Sequence, residues 1–217
     1  LDQITADTSD AVRHAAREKR HAKGFRTARE NLDDLIDSDS LVEYGQLAVA
    51  AQRGRRDPES LRIDTATDGV ITATATINRD LIADGDSDVA VAIYDYSVLA
   101  GTQGFFHHQK LDRIFEVAER ECLPFVMYTE GGGGRPGDTD VKVHIAGLTS
   151  TCFSRWAGLT GKVRRGSVNN GYCFAGNAAL FGAGDVRIAT KSSSIGMAGP
   201  AMIEGGGLGS FHPNEIG

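Results

Sequence analysis

Long apolar runs are missing from this sequence. No stretch of about 18 apolar residues is present to cross a membrane, and the N-terminus carries no apolar secretory segment. Neither a membrane nor an exported protein is expected, so the cytoplasm is the expected location. Cysteine is scarce: Cys122, Cys152 and Cys173 form no CxxC pair, and an odd count of three argues against a disulfide framework. The expected state is reduced, with the thiols buried as small hydrophobes. No histidine lies in an HExxH or comparable spacing; His107 and His108 are adjacent and His144 is isolated, so no metal is expected. An excess of basic charge is lacking as well. Acidic residues outnumber basic ones 29 to 23, a net charge of -6 that gives no electrostatic footprint for nucleic acid. The run Arg17, Lys19, Arg20, Lys23, Arg26 is a local exception, and on composition alone it reads as a solvated helix face.

What is present suits one α/β domain: 217 residues, 41% of them hydrophobic, are enough to bury a sizeable core. The first residue is Leu1 rather than Met, and the last five, PNEIG, read as a turn, so a fragment is expected. Apolar positions spaced among charges predict two helices over residues 9 to 36, broken at Gly24. Residues 40 to 49 are apolar without clear period, and RGRRDPES (53 to 60) reads as a mobile polar loop. GVITATATI (69 to 77) and DVAVAIYDY (88 to 96) read as neighbouring strands with a turn at Asp84, Gly85 and Asp86. Apolar residues at 111, 114, 115 and 118 predict an amphipathic helix, followed by the strand LPFVMYT (123 to 129). Beyond it come a helix over 141 to 157, a strand near 163 to 169, a small-residue helix start in 173 to 184, a strand at 186 to 190 and a glycine-rich run from 192 to 209. Strand, glycine loop and helix recur, the pattern of crossover units on one sheet.

The stretch EGGGGRPGDTD (130 to 140) places four glycines directly behind a buried strand. Arg135 and Pro136 stand where a P-loop needs its lysine and hydroxyl, and no GxGxxG opens the following helix, so both nucleotide fingerprints fail. A flexible linker would be out of place between a strand and a predicted helix. The remaining physical reason is close approach, by a ligand or another backbone, to N–H groups unobstructed by side chains. AGNA (175 to 178) supplies a second set of such groups at a helix start, where unpaired amides and the helix dipole both favour negative charge. Together the two segments can hold an oxyanion that forms during a reaction.

In order, YDYSVLAGTQG (94 to 104), YTEGGGGRPGD (128 to 138), NGYCFAGNAALFG (170 to 182) and SSSIGMAGPAMIEGGGLG (192 to 209) resemble the carboxyltransferase family of biotin-dependent acyl-CoA carboxylases. GFRTARENLDDLIDSDSLVEYG (24 to 45) is similar to that family's N-terminal helical region, so the likeness covers nearly the whole chain. The wording EGGGGRPG looks closer to the large actinobacterial-type carboxylases than to propionyl-CoA β-subunits, whose loop reads SGGAR. The resemblance implies a crotonase-like spiral of ββα units with an N-terminal helical segment, residues 1 to 217 forming the N-terminal of two carboxyltransferase domains. It implies transfer of a carboxyl group from carboxybiotin to the α-carbon of an acyl-CoA, through an enolate whose oxygen is held by backbone N–H groups. The loop donors fall on Gly133 and Gly134, the helix-start donors on Ala175, Gly176 and Asn177. At Asn177 the propionyl-type relatives carry glycine, so its side chain is expected either to narrow the acyl pocket or to point away.

For the CoA side the resemblance implies Gly101, Thr102 and Gln103 in a turn near the cofactor, and Arg26 and Arg29 in the segment associated with its phosphates. Arg135 either meets a carboxylate or CoA, or forms a salt bridge to Glu130 or Asp138 that shapes the loop. Implied partners are biotin on a separate carrier domain or subunit, a biotin carboxylase component, the C-terminal carboxyltransferase domain of a neighbouring subunit, and further copies of the chain; the glycine-rich apolar run 192 to 209 is either their interface or an ordinary buried turn. A decarboxylase of the same fold and a non-catalytic acyl-CoA-binding or assembly fragment are the alternatives. A hydratase would need a carboxylate base, and Glu130 is the only acidic residue on the strand side of the loop.

Overall fold

Residues 2–82, 86–141 and 150–217 are described in a computed structural model. In chain order the elements are α1 (Asp2–Ala6), α2 (His14–His21), α3 (Ala28–Leu35), β1 (Val42–Tyr44), α4 (Pro58–Asp64), β2 (Val70–Thr76), β3 (Asp88–Tyr94), α5 (Phe105–Arg120), β4 (Phe125–Tyr128), α6 (Cys152–Gly158), β5 (Arg165–Asn169), β6 (Tyr172–Phe174), α7 (Gly176–Gly182), β7 (Val186–Ala189), β8 (Ser194–Gly196) and α8 (Pro200–Gly205).

Side-chain alternation along β3 organises the core. Ala90, Ala92 and Tyr94 pack on one face of the sheet with Leu111, Ile114 and Phe115 of α5, while Val89, Val91 and Ile93 pack on the other with Ala28 and Leu32 of α3. A strand covered on both faces has to be apolar at every position, which is why its sequence reads as a continuous run. Trp156 of α6 closes the α5 side against Phe115 and Phe125, and its indole N–H donates to the Leu180 carbonyl at 2.9 Å. Burial of each such large side chain contributes roughly 1.5–3 kcal/mol.

The main sheet runs β1-β2-β3-β4-β5-β7. Its first three strands are antiparallel, with Val70 opposite Tyr94 and Thr76 opposite Asp88, and the pairings β3–β4, β4–β5 and β5–β7 are parallel. A second, shorter layer stands beside it, in which β6 pairs with β8 and single bridges join Gln103 to Gly134 and Gly131 to Cys173. The chain therefore steps from a main-sheet strand to a short second-layer strand to a helix, as in β5–β6–α7 and β7–β8–α8. This is the ββα winding that the resemblance implied, and it carries the ends of β3, β4 and β5 to one rim.

Several elements differ from the sequence reading. The two helices expected over residues 9 to 36 are α2 and α3, parted at Gly24 with φ of +76°, and the short α1 precedes them without having been expected. Residues 53 to 60 are not wholly loop: α4 begins there, with the Asp57 carboxylate accepting from the Glu59 and Ser60 N–H groups at 3.1 and 3.0 Å and Pro58 in the first turn. That combination is a strong helix start. Part of the apolar run 40 to 49 is the edge strand β1. Asp84 and Gly85 of the expected turn, and residues 142 to 149 of the helix expected from 141, lie outside the described residues. Cys122 is exposed, whereas Cys152 and Cys173 are buried as expected and burial raises their thiols to about 11 and about 12. Residues 192 to 209 hold β8 and α8, and Met197, Met202 and Leu208 are exposed at 70%, 71% and 73%, so this run is not a buried turn.

Candidate active site

The glycine loop follows β4 because three successive positions have no room for a side chain. A Cβ on Gly131 would stand 2.2 Å from the Asn177 Nδ2 and 2.2 Å from the Gly101 carbonyl oxygen. On Gly132 it would press on Thr102 at 3.2 Å, and on Gly133, whose φ is +93°, it would lie 2.7 Å from the Ala175 Cβ. Gly134 alone has open space around the Cβ position. The loop and the start of α7 therefore face each other at contact distance, as the two donor clusters were expected to do.

Their amides are not equally free. The Gly133 N–H donates to the Asn177 Oδ1 at 3.0 Å, and the Ala175 N–H donates to the Gly196 carbonyl at 3.0 Å. Those two expected donors are thus engaged internally. Among the described residues the backbone N–H groups of Gly134, Gly176 and Asn177 meet no acceptor. Ala175 itself holds φ 52° and ψ -120°, a conformation unusual for a residue with a side chain, and it turns the chain from β6 into α7. The Asn177 side chain is fully buried in the wall of the loop, bonded to the Gly133 N–H and to the Thr129 carbonyl.

Gly101, Thr102 and Gln103 form the strap on the other side of the loop. The Gln103 N–H donates to the Gly133 carbonyl at 2.7 Å and the Arg135 N–H donates to the Gln103 carbonyl at 3.0 Å, while the Gly132 N–H donates to the Ala100 carbonyl at 3.0 Å. Gly101 is required: at φ +62° its Cβ would meet the Glu130 carbonyl oxygen at 2.5 Å. The Gln103 side chain donates to the Tyr94 hydroxyl at 3.0 Å beneath the loop.

Arg135 is not turned towards a ligand. Its guanidinium is buried, pairs with Asp68 and with Asp138 at 3.5 Å, and donates to the Thr102 carbonyl at 2.7 Å. Of its two expected roles the structure places it in the loop-shaping one, and Glu130 is not its partner. Asp68 lies in a turn where Thr67, Asp68 and Gly69 all have positive φ, 57°, 48° and 75°. The turn is held by the His107 N–H on the Asp68 carboxylate at 2.7 Å and by Lys110, whose ammonium donates to the Thr67 carbonyl at 2.9 Å and to the Val70 carbonyl.

Burial lowers Lys110 from 10.5 to about 7, against the pull of Glu43 and Asp68 and with a further push from Arg29. Between about pH 7 and 10.5 the unfolded chain then binds a proton that the folded chain has released, so this lysine makes stability rise with pH across that window and leaves it flat below. Urea unfolding of the wild type and of Lys110→Met from pH 7 to pH 10 checks the sign. The wild type should gain midpoint relative to the variant as pH rises, and parallel curves would refute it.

Glu130, at the head of the loop, is locked. Arg20 Nη1 and Nη2 donate to its two carboxylate oxygens at 2.9 and 2.6 Å, and Arg20 Nε donates to the Arg26 carbonyl at 3.1 Å. Both side chains are buried, and the guanidinium lies over the rings of Phe25 and Tyr96 at 4.9 and 5.4 Å. Burial raises the Glu130 carboxyl while Arg20 opposes that rise. A carboxylate gripped on both oxygens is no general base, which removes the structural support for a hydratase. The basic run is accordingly not one solvated face: Arg20 is interior, and Lys19 and Lys23 line a pocket of about 350 Å³ with Phe25, Tyr96, Ala100 and Tyr172. Sequence reasoning missed Arg20 because its partner lies 110 residues further on.

Arg26 and Arg29 stand elsewhere. Arg29 grips Glu43 of β1 through two bonds of 2.6 and 3.0 Å, and exposed Arg26 pairs with Asp34 at 3.0 Å and lines a separate hollow with Asn170, Thr190 and Ser192. No group of three or more potential metal ligands occurs among the described residues.

The sheet order, the two-layer ββα winding and the meeting of a glycine loop with a helix start define a crotonase-like α/β domain. A family model described as the carboxyl transferase domain matches residues 19–207, and the chain belongs to that family. It is 31% identical over 159 residues to the propionyl-CoA carboxylase beta chain of Saccharopolyspora erythraea, covering 73% of this chain and 27% of the relative. Among solved structures, a single-chain, multi-domain long-chain acyl-CoA carboxylase superposes with a TM-score of 0.92 at 53% identity over 99% of this chain and 21% of that one. Transcarboxylase 12S with methylmalonyl-CoA bound gives 0.72 at 26% identity over 94% of this chain and 37% of that one. The chain thus spans between a fifth and two fifths of these relatives.

Proposed function

We propose that this chain is the N-terminal carboxyltransferase domain of a biotin-dependent acyl-CoA carboxylase, and that it holds the thioester whose α-carbon receives the carboxyl group. The observation that carries the reading is the contact between the glycine loop and the start of α7, with unengaged amides at Gly134, Gly176 and Asn177. These N–H groups donate to the thioester oxygen as it takes up charge on loss of the α-proton; preformed donors need no reorganisation at that moment. Carboxybiotin, delivered on a separate carrier domain or subunit, supplies the carboxyl group. The C-terminal carboxyltransferase domain of a neighbouring subunit completes the site, in a cytoplasmic homo-oligomer working with a biotin carboxylase component.

The nucleotide end of CoA is assigned to the pocket of Lys19, Lys23, Phe25, Tyr96 and Tyr172, in place of Arg26 and Arg29. Aromatic rings suit an adenine and ammonium groups its phosphates. The wall of this pocket is tied to the donor loop, since the Ala100 carbonyl accepts from the Gly132 N–H. The 53% identity to a long-chain acyl-CoA carboxylase makes a long acyl chain the first to try.

Calorimetric titration of the full-length protein with free CoA and with a long-chain acyl-CoA tests this. Lys19→Ala with Lys23→Ala should weaken both by about 10-fold, or ~1.4 kcal/mol, more at low salt than at high. Arg26→Ala should change neither. No binding of any CoA species by the wild type would end the reading, and a loss confined to Arg26→Ala would move the nucleotide to the other hollow.

A further inference from the structure

One residue of the site does something that no donor role requires. Asn177 sits at the start of α7 with its carboxamide wholly enclosed. Its Oδ1 accepts from the Gly133 N–H at 3.0 Å; its Nδ2 donates to the Thr129 carbonyl at 3.1 Å and towards the Gly101 carbonyl at 3.5 Å. Two stretches distant from it in sequence are thereby fastened to one side chain: residues 129 to 133, from the end of β4 into the glycine loop, and the turn at 99–101. Gly131 fits this side chain closely, because a Cβ there would lie 2.2 Å from Nδ2. Side chain and missing side chain are a matched pair.

We propose that Asn177 is a positioning residue of the donor loop: its carboxamide fixes the main chain from 131 to 133 and withholds the Gly133 N–H from the oxyanion hole, so the loop contributes Gly134 alone. The inference rests on the carboxyltransferase reading for its effect on rate, and on geometry alone for its effect on the Gly133 amide. An amide already bonded to a neutral carboxamide oxygen has to break that bond before it can serve a substrate. An amide one residue later, on a peptide held rigid by its neighbour, is ready without reorganisation. The same carboxamide therefore removes one donor and presents the next.

Two readouts on the full-length protein test this. Hydrogen exchange in Asn177→Ala should accelerate at the Gly133 amide by about 10-fold or more, while the Gly131 and Gly132 amides, bonded to the Tyr172 and Ala100 carbonyls, keep their protection. In steady-state carboxylation the same variant should lose about 10- to 100-fold in kcat with KM for acyl-CoA within about twofold, the signature of a group acting on the transition state. Unchanged exchange at Gly133 overturns the proposal, as does a kcat within about twofold of wild type. If the wild type carboxylates no acyl-CoA, the functional reading fails while the exchange arm still decides the role of Asn177. Should Asn177→Ala not accumulate folded, Asn177→Ser supports the same two readouts.

Discussion

Glu130→Ala should destabilise the fold by about 3–5 kcal/mol, the usual cost of stranding one partner of a buried ion pair. The size follows from what remains: the Arg20 guanidinium, buried beneath Phe25 and Tyr96, would keep only the Arg26 carbonyl as an acceptor. The double variant Arg20→Met/Glu130→Met should recover most of the loss, because apolar replacement of both partners removes the uncompensated charge. Denaturant unfolding of the three proteins measures this, and a single-variant loss below about 1 kcal/mol would show the pair to be dispensable.

Gly134→Pro is the corresponding expectation for activity. Proline removes the N–H assigned to the thioester oxygen, and the loss should be about 100- to 1,000-fold in kcat, equivalent to about 3–4 kcal/mol of barrier. Gly134→Ala is the control, since its Cβ meets nothing within 4 Å and the amide is retained. Near-wild-type turnover by the alanine variant beside a crippled proline variant would locate the effect in the donor itself. If Gly134→Pro stays within about threefold of wild type, that amide is not part of the hole.

The meeting of the glycine loop with the start of α7 was legible and its wiring was not. Four glycines behind an apolar strand are readable because missing side chains are visible in sequence, and their approach to AGNA follows from both lying at strand ends. Which amides remain free depends on where the Asn177 Oδ1 lands, 44 residues from the glycine it meets, and local patterns carry no trace of that. Arg20 and Glu130 show the same limit, as two ordinary charges whose burial exists only once α2 covers the loop. By contrast α4 was announced by Asp57, Pro58 and Glu59 and passed over because the surrounding arginines suggested a loop. β1, at three residues, is made by its pairing with β2 rather than by any period of its own.

The far rim of the main sheet has a consequence for handling the chain by itself. β7 pairs with β5 on one side and with no described strand on the other, and Val186 and Ile188 are bared at 60% and 56%. Arg187 lies between them, yet its guanidinium folds back onto the Gly182 and Gly184 carbonyls at 3.0 and 2.9 Å. The one charge on that strand is occupied with its own backbone. The bare rim is thus a template on which one more extended segment can pair.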